Sequence, residues 1–259
     1  MVNLDTFHQQ RKFYFDLYRH FLRCRKSEQV EQLLKPLSYL QASDFNHEIK
    51  SFEQEQIPKV LHYCWFGKGI YPDLVKYCMD SWHTQNGFRI KLWNEDNFPI
   101  DLYPFAKEAL RQKKWAMVSD VARLHALYYE GGIYLDTDME LIKPLEPLLN
   151  CQAFGCVESK RLISIGLVGA RVFHPWIGKA LSWYKLTPFR DIYHIIANTR
   201  IISRMTELHY GVKLNGQPFR LNDGMYFFPY DSFLPRKNDK GEFIITDNTI
   251  AIHHGTGLW

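Results

Sequence analysis

No run of apolar residues in this 259-residue chain approaches the roughly 20 that a transmembrane helix needs. A membrane span is not expected. The opening residues, MVNLDTFHQQRKFYFD, carry charges every few positions where a signal peptide requires an apolar stretch, so secretion is not expected either. Cysteine is sparse and scattered: Cys24, Cys64, Cys78, Cys151 and Cys156, an odd number without a CxxC pair. This argues against a disulfide framework or a structural zinc site and suits a reducing, cytoplasmic compartment. Strong charge of one sign is also missing. The net charge of +4 suits acidic ligands but is too small to make nucleic acid an expected partner.

What is present is the composition of a packed protein, with 46% hydrophobic, 15% aromatic and 23% charged residues, which excludes a long disordered chain. The length fits one large α/β unit with an appendage. Residues 1–55 form the expected appendage: a helical pattern aligns Phe7, Tyr14, Tyr18 and Phe21, and Lys12, Arg19, Arg23 and Lys26 form a basic stripe beside them. Two readings stand: the aromatics dock onto the main domain, or the helix makes peripheral contact with an anionic membrane at its inner face. Residues 56–259 show no internal repeat and no flexible linker, and read as a single domain.

Within that domain a βαβ rhythm is predicted: strands over 59–65 and 88–94 around a helix over 72–85. Helices are expected over 104–112 and 116–129, the second ended by Gly131-Gly132 as C-cap and tight return. A strand over 133–135 then runs into Asp136-Thr137-Asp138. Further strands are expected over 153–157, 163–169 and 250–254, and further helices over 176–184 and 192–208.

Asp136 and Asp138 are the first candidates for chemistry. On a continuing strand, side chains i and i+2 share a face, so both carboxylates would converge and make a hard oxygen site for Mn²⁺ or Mg²⁺. The alternative is a polar turn after an edge strand. Asp120 and Arg123, three apart on a predicted helix, share a face; they read either as a polar clamp for a hydroxyl-rich ligand or as a surface ion pair worth at most about 1 kcal/mol. Trp65 ends the first predicted strand, at the carboxyl edge where α/β sheets bind ligands; it reads as a base-stacking platform or as lip packing. In the terminal AIHHGTGLW, His253 and His254 face opposite ways on a strand, so one of the two is expected to meet a metal.

Three blocks, IPKVLHYCWFG at 57–67, AMVSDVARLHALYYEGGIYLDTDMELIKPLEPLL at 116–149, and AIHHGTGLW at 251–259, resemble glycosyltransferase family 32 in their order and in the spacing of SDxxR, GGIY and DTD. The resemblance implies a GT-A type α/β fold, with a Rossmann-like nucleotide-binding sheet merged with an acceptor-binding half. It implies a retaining, metal-dependent transfer of a sugar from a UDP- or GDP-linked donor to a glycan, lipid-linked or protein acceptor, in surface polysaccharide synthesis. By the same analogy Asp136 and Asp138 are the catalytic metal-binding pair, and Asp120 and Arg123 hold sugar hydroxyls. Tyr63, Cys64 and Trp65 line the base pocket, and Trp259 caps the diphosphate. Leu258 departs from the family pattern by replacing a serine. Two other readings remain: a haloacid-dehalogenase-like metal phosphohydrolase, and a non-catalytic nucleotide-sugar-binding module.

Overall fold

The structure, a computed structural model, describes residues 56–187, 189 and 197–256. The predicted N-terminal appendage and the positions of Leu258 and Trp259 lie outside the described residues.

The elements run β1 (Val60–Cys64), α1 (Asp73–Trp82), β2 (Arg89–Trp93), α2 (Pro104–Arg111), α3 (Trp115–Glu130), β3 (Gly132–Leu135) and β4 (Met139–Leu141). They continue with β5 (Ala153–Ser159), β6 (Leu162–Ala170), α4 (Pro175–Leu186), α5 (Asn198–Tyr210), β7 (Phe219–Arg220), β8 (Met225–Phe228) and β9 (Ala251–His253). Seven strands form one mixed sheet in the order β2-β1-β3-β6-β5-β8-β7. β1 is parallel to both β2 and β3, whereas β6 runs antiparallel between β3 and β5. The carboxyl ends of β1, β2, β3, β5 and β8 therefore share one edge, as the expected GT-A type α/β arrangement requires.

Strand alternation supplies both faces of this sheet with core. Ile133 and Leu135 pack in a layer with α1 and β4, while Tyr134 between them packs against the helices on the opposite face. The two glycines after α3 work as expected: Gly131 has φ +64 and Gly132 φ +101, and a Cβ on Gly132 would stand 2.7 Å from the Val60 carbonyl. Only glycine lets β3 approach β1 this closely.

Several predicted elements change at their ends. The helix predicted over 72–85 stops at Trp82, and Gln85 instead turns inward so that its Oε1 accepts the Leu145 N–H at 2.9 Å. The helix predicted from 192 is described from Asn198, ending at left-handed Gly211. β4, β7 and β8 were not anticipated. β4 pairs with β9 in a separate two-stranded ribbon, which carries the C-terminal segment onto the turn after β3. Among the described residues no helix is long and apolar enough to cross a membrane.

Candidate active site

The strand carrying the two aspartates ends before it reaches them. The pairing of β3 with β6 closes with the Asp136 N–H donating to Gly166 O at 2.7 Å, and Asp136 to Met139 then form a turn, with Met139 N–H donating to Asp136 O at 3.0 Å. Strand alternation therefore does not relate Asp136 to Asp138, contrary to the sequence expectation. The turn arises because Met139 must leave the main sheet to pair with His253 in the ribbon. Each carboxylate is positioned by its own set of partners.

Asp136 is fixed through one oxygen. Its Oδ1 accepts from the Tyr134 hydroxyl at 2.9 Å and stands 3.1 Å from Arg123 Nη1. Its Oδ2 faces Gly166, where a Cβ would come within 2.9 Å of it and 3.5 Å of the His253 ring. The absence of a side chain at Gly166 thus keeps a gap between Asp136 and His253.

Arg123 is the buried cation behind this carboxylate. Its Nη2 stands 3.3 Å from Asp120 Oδ1, its Nη1 donates to Ile165 O at 3.0 Å, and the guanidinium lies 4.5 Å over the Tyr134 ring. Asp120 is 2% exposed and Arg123 6%, so the surface-pair reading is overturned. Burial works against the charge, but Asp136 and Asp120 outweigh it and hold the guanidinium above its ordinary pKa. Asp120 Oδ1 also accepts from the side-chain amide of Asn198, at the start of α5.

Asp138 is held from the C-terminal segment. Its Oδ2 accepts both the backbone N–H and the hydroxyl of Thr256, each at 2.9 Å, and its Oδ1 stands 3.1 Å from His253 Nε2. Burial would raise its pKa, yet His253 and Thr256 together depress it. Burial would lower that of His253, yet the Asp138 contact and the charges of Asp136, Asp138 and Glu158 raise it. The two shifts run in opposite directions and share one cause, the contact between the pair. His254 turns the other way: its Nε2 contacts Glu140 Oε2 at 2.9 Å, and its ring meets Tyr77 and Phe243 edge-on. Tyr77 completes this second cluster by donating to Glu140 Oε1 at 2.8 Å.

The three residues ending the first strand do not form one wall. Tyr63 packs against Trp82 in the α1 layer and Cys64 lies in the opposite layer, fully buried, where burial pushes its thiol up to about 12. Trp65 is partly exposed at the carboxyl edge, its Nε1 donating to Gly69 O at 2.7 Å and its ring 4.8 Å from Tyr71. Sequence reasoning missed Thr256, Tyr134 and Asn198 as partners of the aspartates. Thr256 and Tyr134 lay inside the recognised blocks; Asn198 carried no local signal.

Residues 72–154 match the family described as a glycosyltransferase sugar-binding region containing a DXD motif. Over these residues the chain is similar to DXD-containing glycosyltransferases. The chain is 27% identical over 149 residues to inositol phosphoceramide mannosyltransferase 1 of Schizosaccharomyces pombe, covering 54% of this chain and 46% of that one. It is 49% identical over 104 residues to Toxin Afp18 of Yersinia ruckeri, covering 40% of this chain and 4% of the toxin. A solved structure titled PaToxG Glycosyltransferase aligns with a TM-score of 0.47 at 15% identity, covering 77% of this chain and 79% of that one. The chain spans less than half the length of the fungal relative.

The DXD residues fit a divalent cation of the Mn²⁺ or Mg²⁺ type. Asp138 Oδ1 is buried without a hydrogen-bond partner of good geometry, and Asp136 Oδ2 borders the gap at Gly166. Among the described residues no three His, Cys, Asp or Glu side chains gather into a complete ligand set. A pair of carboxylates leaving coordination positions to substrate phosphates is the usual arrangement for such hard cations.

Proposed function

We propose that this chain is a metal-dependent, retaining hexosyltransferase that moves a sugar from a UDP- or GDP-linked donor to a glycan, lipid-linked or protein acceptor. The observation that carries the reading is the DXD turn at the carboxyl edge, where Asp136 and Asp138 are each anchored through one oxygen and turn the other toward the Gly166 gap or His253. Retention rests on the resemblance, and no side chain is assigned as nucleophile or base.

When bound, Mn²⁺ or Mg²⁺ supplies positive charge that offsets the negative charge developing on a diphosphate leaving group. Asp138 and Asp136 would hold it. Arg123 adds a fixed, buried positive charge that orients Asp136, while Thr256 and His253 orient Asp138. These groups are ordered before the substrate arrives, so their reorganisation adds little to the barrier. Trp65 at the edge offers a ring on which a base stacks. Asp120 is the carboxylate proposed to meet a sugar hydroxyl.

The acceptor belongs to the same proposal. The fungal relative is named for mannose transfer to inositol phosphoceramide, so a mannose donor and a lipid acceptor enter the first screen. A cytoplasmic location, peripheral membrane contact through residues 1–55, and a part in surface polysaccharide synthesis are proposed alongside.

The decisive experiment screens UDP- and GDP-sugars with Mn²⁺ for donor hydrolysis, in which water replaces the acceptor. Hydrolysis of one donor, abolished by Asp138→Asn in a protein that melts normally, is the expected result. Full turnover in excess chelator would refute metal dependence.

A further inference from the structure

We infer that Asn198, outside every recognised motif, is a positioning residue of the donor site. This rests on the transferase reading above.

The inference starts from how the Asp120 carboxylate is held. Its Oδ1 is shared by Arg123 Nη2 at 3.3 Å and by the Asn198 side-chain amide. Arg123 in turn shares Asp136 Oδ1 with the Tyr134 hydroxyl. The result is a continuous polar chain from α5 through α3 to the DXD turn: Asn198, Asp120, Arg123, Asp136. Its two inner members are almost wholly buried. In such surroundings a hydrogen bond to a charged group is strong and its loss is felt by the neighbours.

Asn198 is suited to this task because of where its helix is fixed. One turn further along α5, the Ser203 hydroxyl accepts the Ile163 N–H of β6 at 2.9 Å, so the helix start cannot drift relative to the sheet. The N-cap residue Ala197 has no capping side chain, and Asn198 turns its amide toward Asp120 and does not cap the helix. An asparagine in the first turn of a helix is commonly explained by local backbone bonding. Here its side chain reaches a carboxylate 78 residues away in sequence.

The consequence for the reaction is geometric. Asn198 and Arg123 approach the same oxygen of Asp120, which sets the rotation of that carboxylate. Without the amide, Asp120 loses one of the contacts that set its rotation, and the guanidinium that shares its oxygen and orients Asp136 shifts with it. Asn198 therefore acts through Asp120 and Arg123 and sets how tightly the sugar end of the donor is held.

The test uses the full chain and compares equilibrium binding of UDP and GDP with that of UDP-glucose, UDP-N-acetylglucosamine and GDP-mannose, all with Mn²⁺, together with donor hydrolysis. Asn198→Ala is expected to weaken binding of the hydrolysed nucleotide-sugar at least tenfold while the matching nucleoside diphosphate binds within threefold of wild type. Asn198→Asp, which sets two carboxylates against each other, is expected to do the same. Asn198→Gln, which keeps the amide on a longer arm, is expected to recover part of the loss. A merely structural role would move the affinities for the diphosphate and for the sugar donor together. If Asn198→Ala melts early, binding is compared at a temperature where the variant is fully folded, and a loss selective for the sugar donor supports the inference. Wild-type behaviour of Asn198→Ala, or equal loss of both ligands, overturns it. If the wild-type chain binds and hydrolyses none of these donors, the transferase reading falls, and this inference with it.

Discussion

Thr256 donates both its backbone N–H and its hydroxyl to a single oxygen of Asp138, 118 residues earlier in the chain. The hydroxyl bond is charge-assisted, and removing such a bond costs about 1.5–3 kcal/mol. Thr256→Val keeps the shape and the N–H but removes the O–H. Donor hydrolysis with Mn²⁺ is expected to fall about tenfold or more, which is the kinetic equivalent of that range, whereas Thr256→Ser keeps most of it. Equal rates in the two variants would show that the hydroxyl contributes nothing.

Gly166→Ala probes the gap. The backbone there has an ordinary negative φ, so alanine is not strained, but its methyl group would sit 2.9 Å from Asp136 Oδ2. The carboxylate must move. Mn²⁺-dependent turnover is expected to drop at least tenfold, with a modest fall in melting temperature. A Mn²⁺ titration indistinguishable from wild type would mean that Asp136 Oδ2 has no part in the site.

Arg123→Ala leaves Asp120 and Asp136 buried without their shared cation. Breaking a buried ion pair on one side costs about 3–5 kcal/mol, so a loss of that order is expected in denaturant unfolding. Arg123→Lys restores a charge but not the forked contact with two carboxylates and a carbonyl, and is expected to recover only part of it. A stability change below about 1 kcal/mol for the alanine variant would return the pair to the surface class.

Asp136 and Asp138 were legible as a pair because two acids follow an apolar strand, and the helix–Gly-Gly–strand run before them because glycine alone permits that return. The burial of Asp120 and Arg123 was not. A charged pair three apart on a helix reads the same whether it faces water or protein, and only the packing of α3 against the sheet decides. β4 escaped notice because three residues carry no measurable period. Without β4, the turn at 136–139 and the ribbon that brings Thr256 to Asp138 could not be inferred. Asn198 was hidden for a similar reason: its partner is set by tertiary packing, not by spacing.

Acid should destabilise the fold before the carboxylates titrate. His62 is fully buried, its Nδ1 accepting from Trp93 Nε1 at 3.0 Å and its Nε2 contacting Gly131 O at 2.7 Å, and burial pushes its pKa from 6.5 down to about 4. His174 is shifted in the same direction for the same reason. Between these values the unfolded chain binds protons that the native chain refuses, so stability falls as pH drops from about 6.5 toward 4, by up to about 3 kcal/mol for His62. Asp138, whose pKa is depressed, contributes stability that is lost only at lower pH. Melting temperatures measured from pH 7 to 4.5 should therefore decline steadily. A flat profile would contradict the buried neutral imidazoles.

The β4–β9 ribbon also sets a timetable for the growing polypeptide. A ribosome delivers Asp138 well before it delivers the strand that pairs with β4 and the threonine that holds the carboxylate. Contacts between residues so far apart close late, because the loop between them must first be ordered. During synthesis, the strands around β3 can pair while the turn at 136–139 still lacks its second side. A half-made chain therefore has the sheet edge that ends at β3 but not the anchored aspartate, and the anchor arrives only with β9 and Thr256.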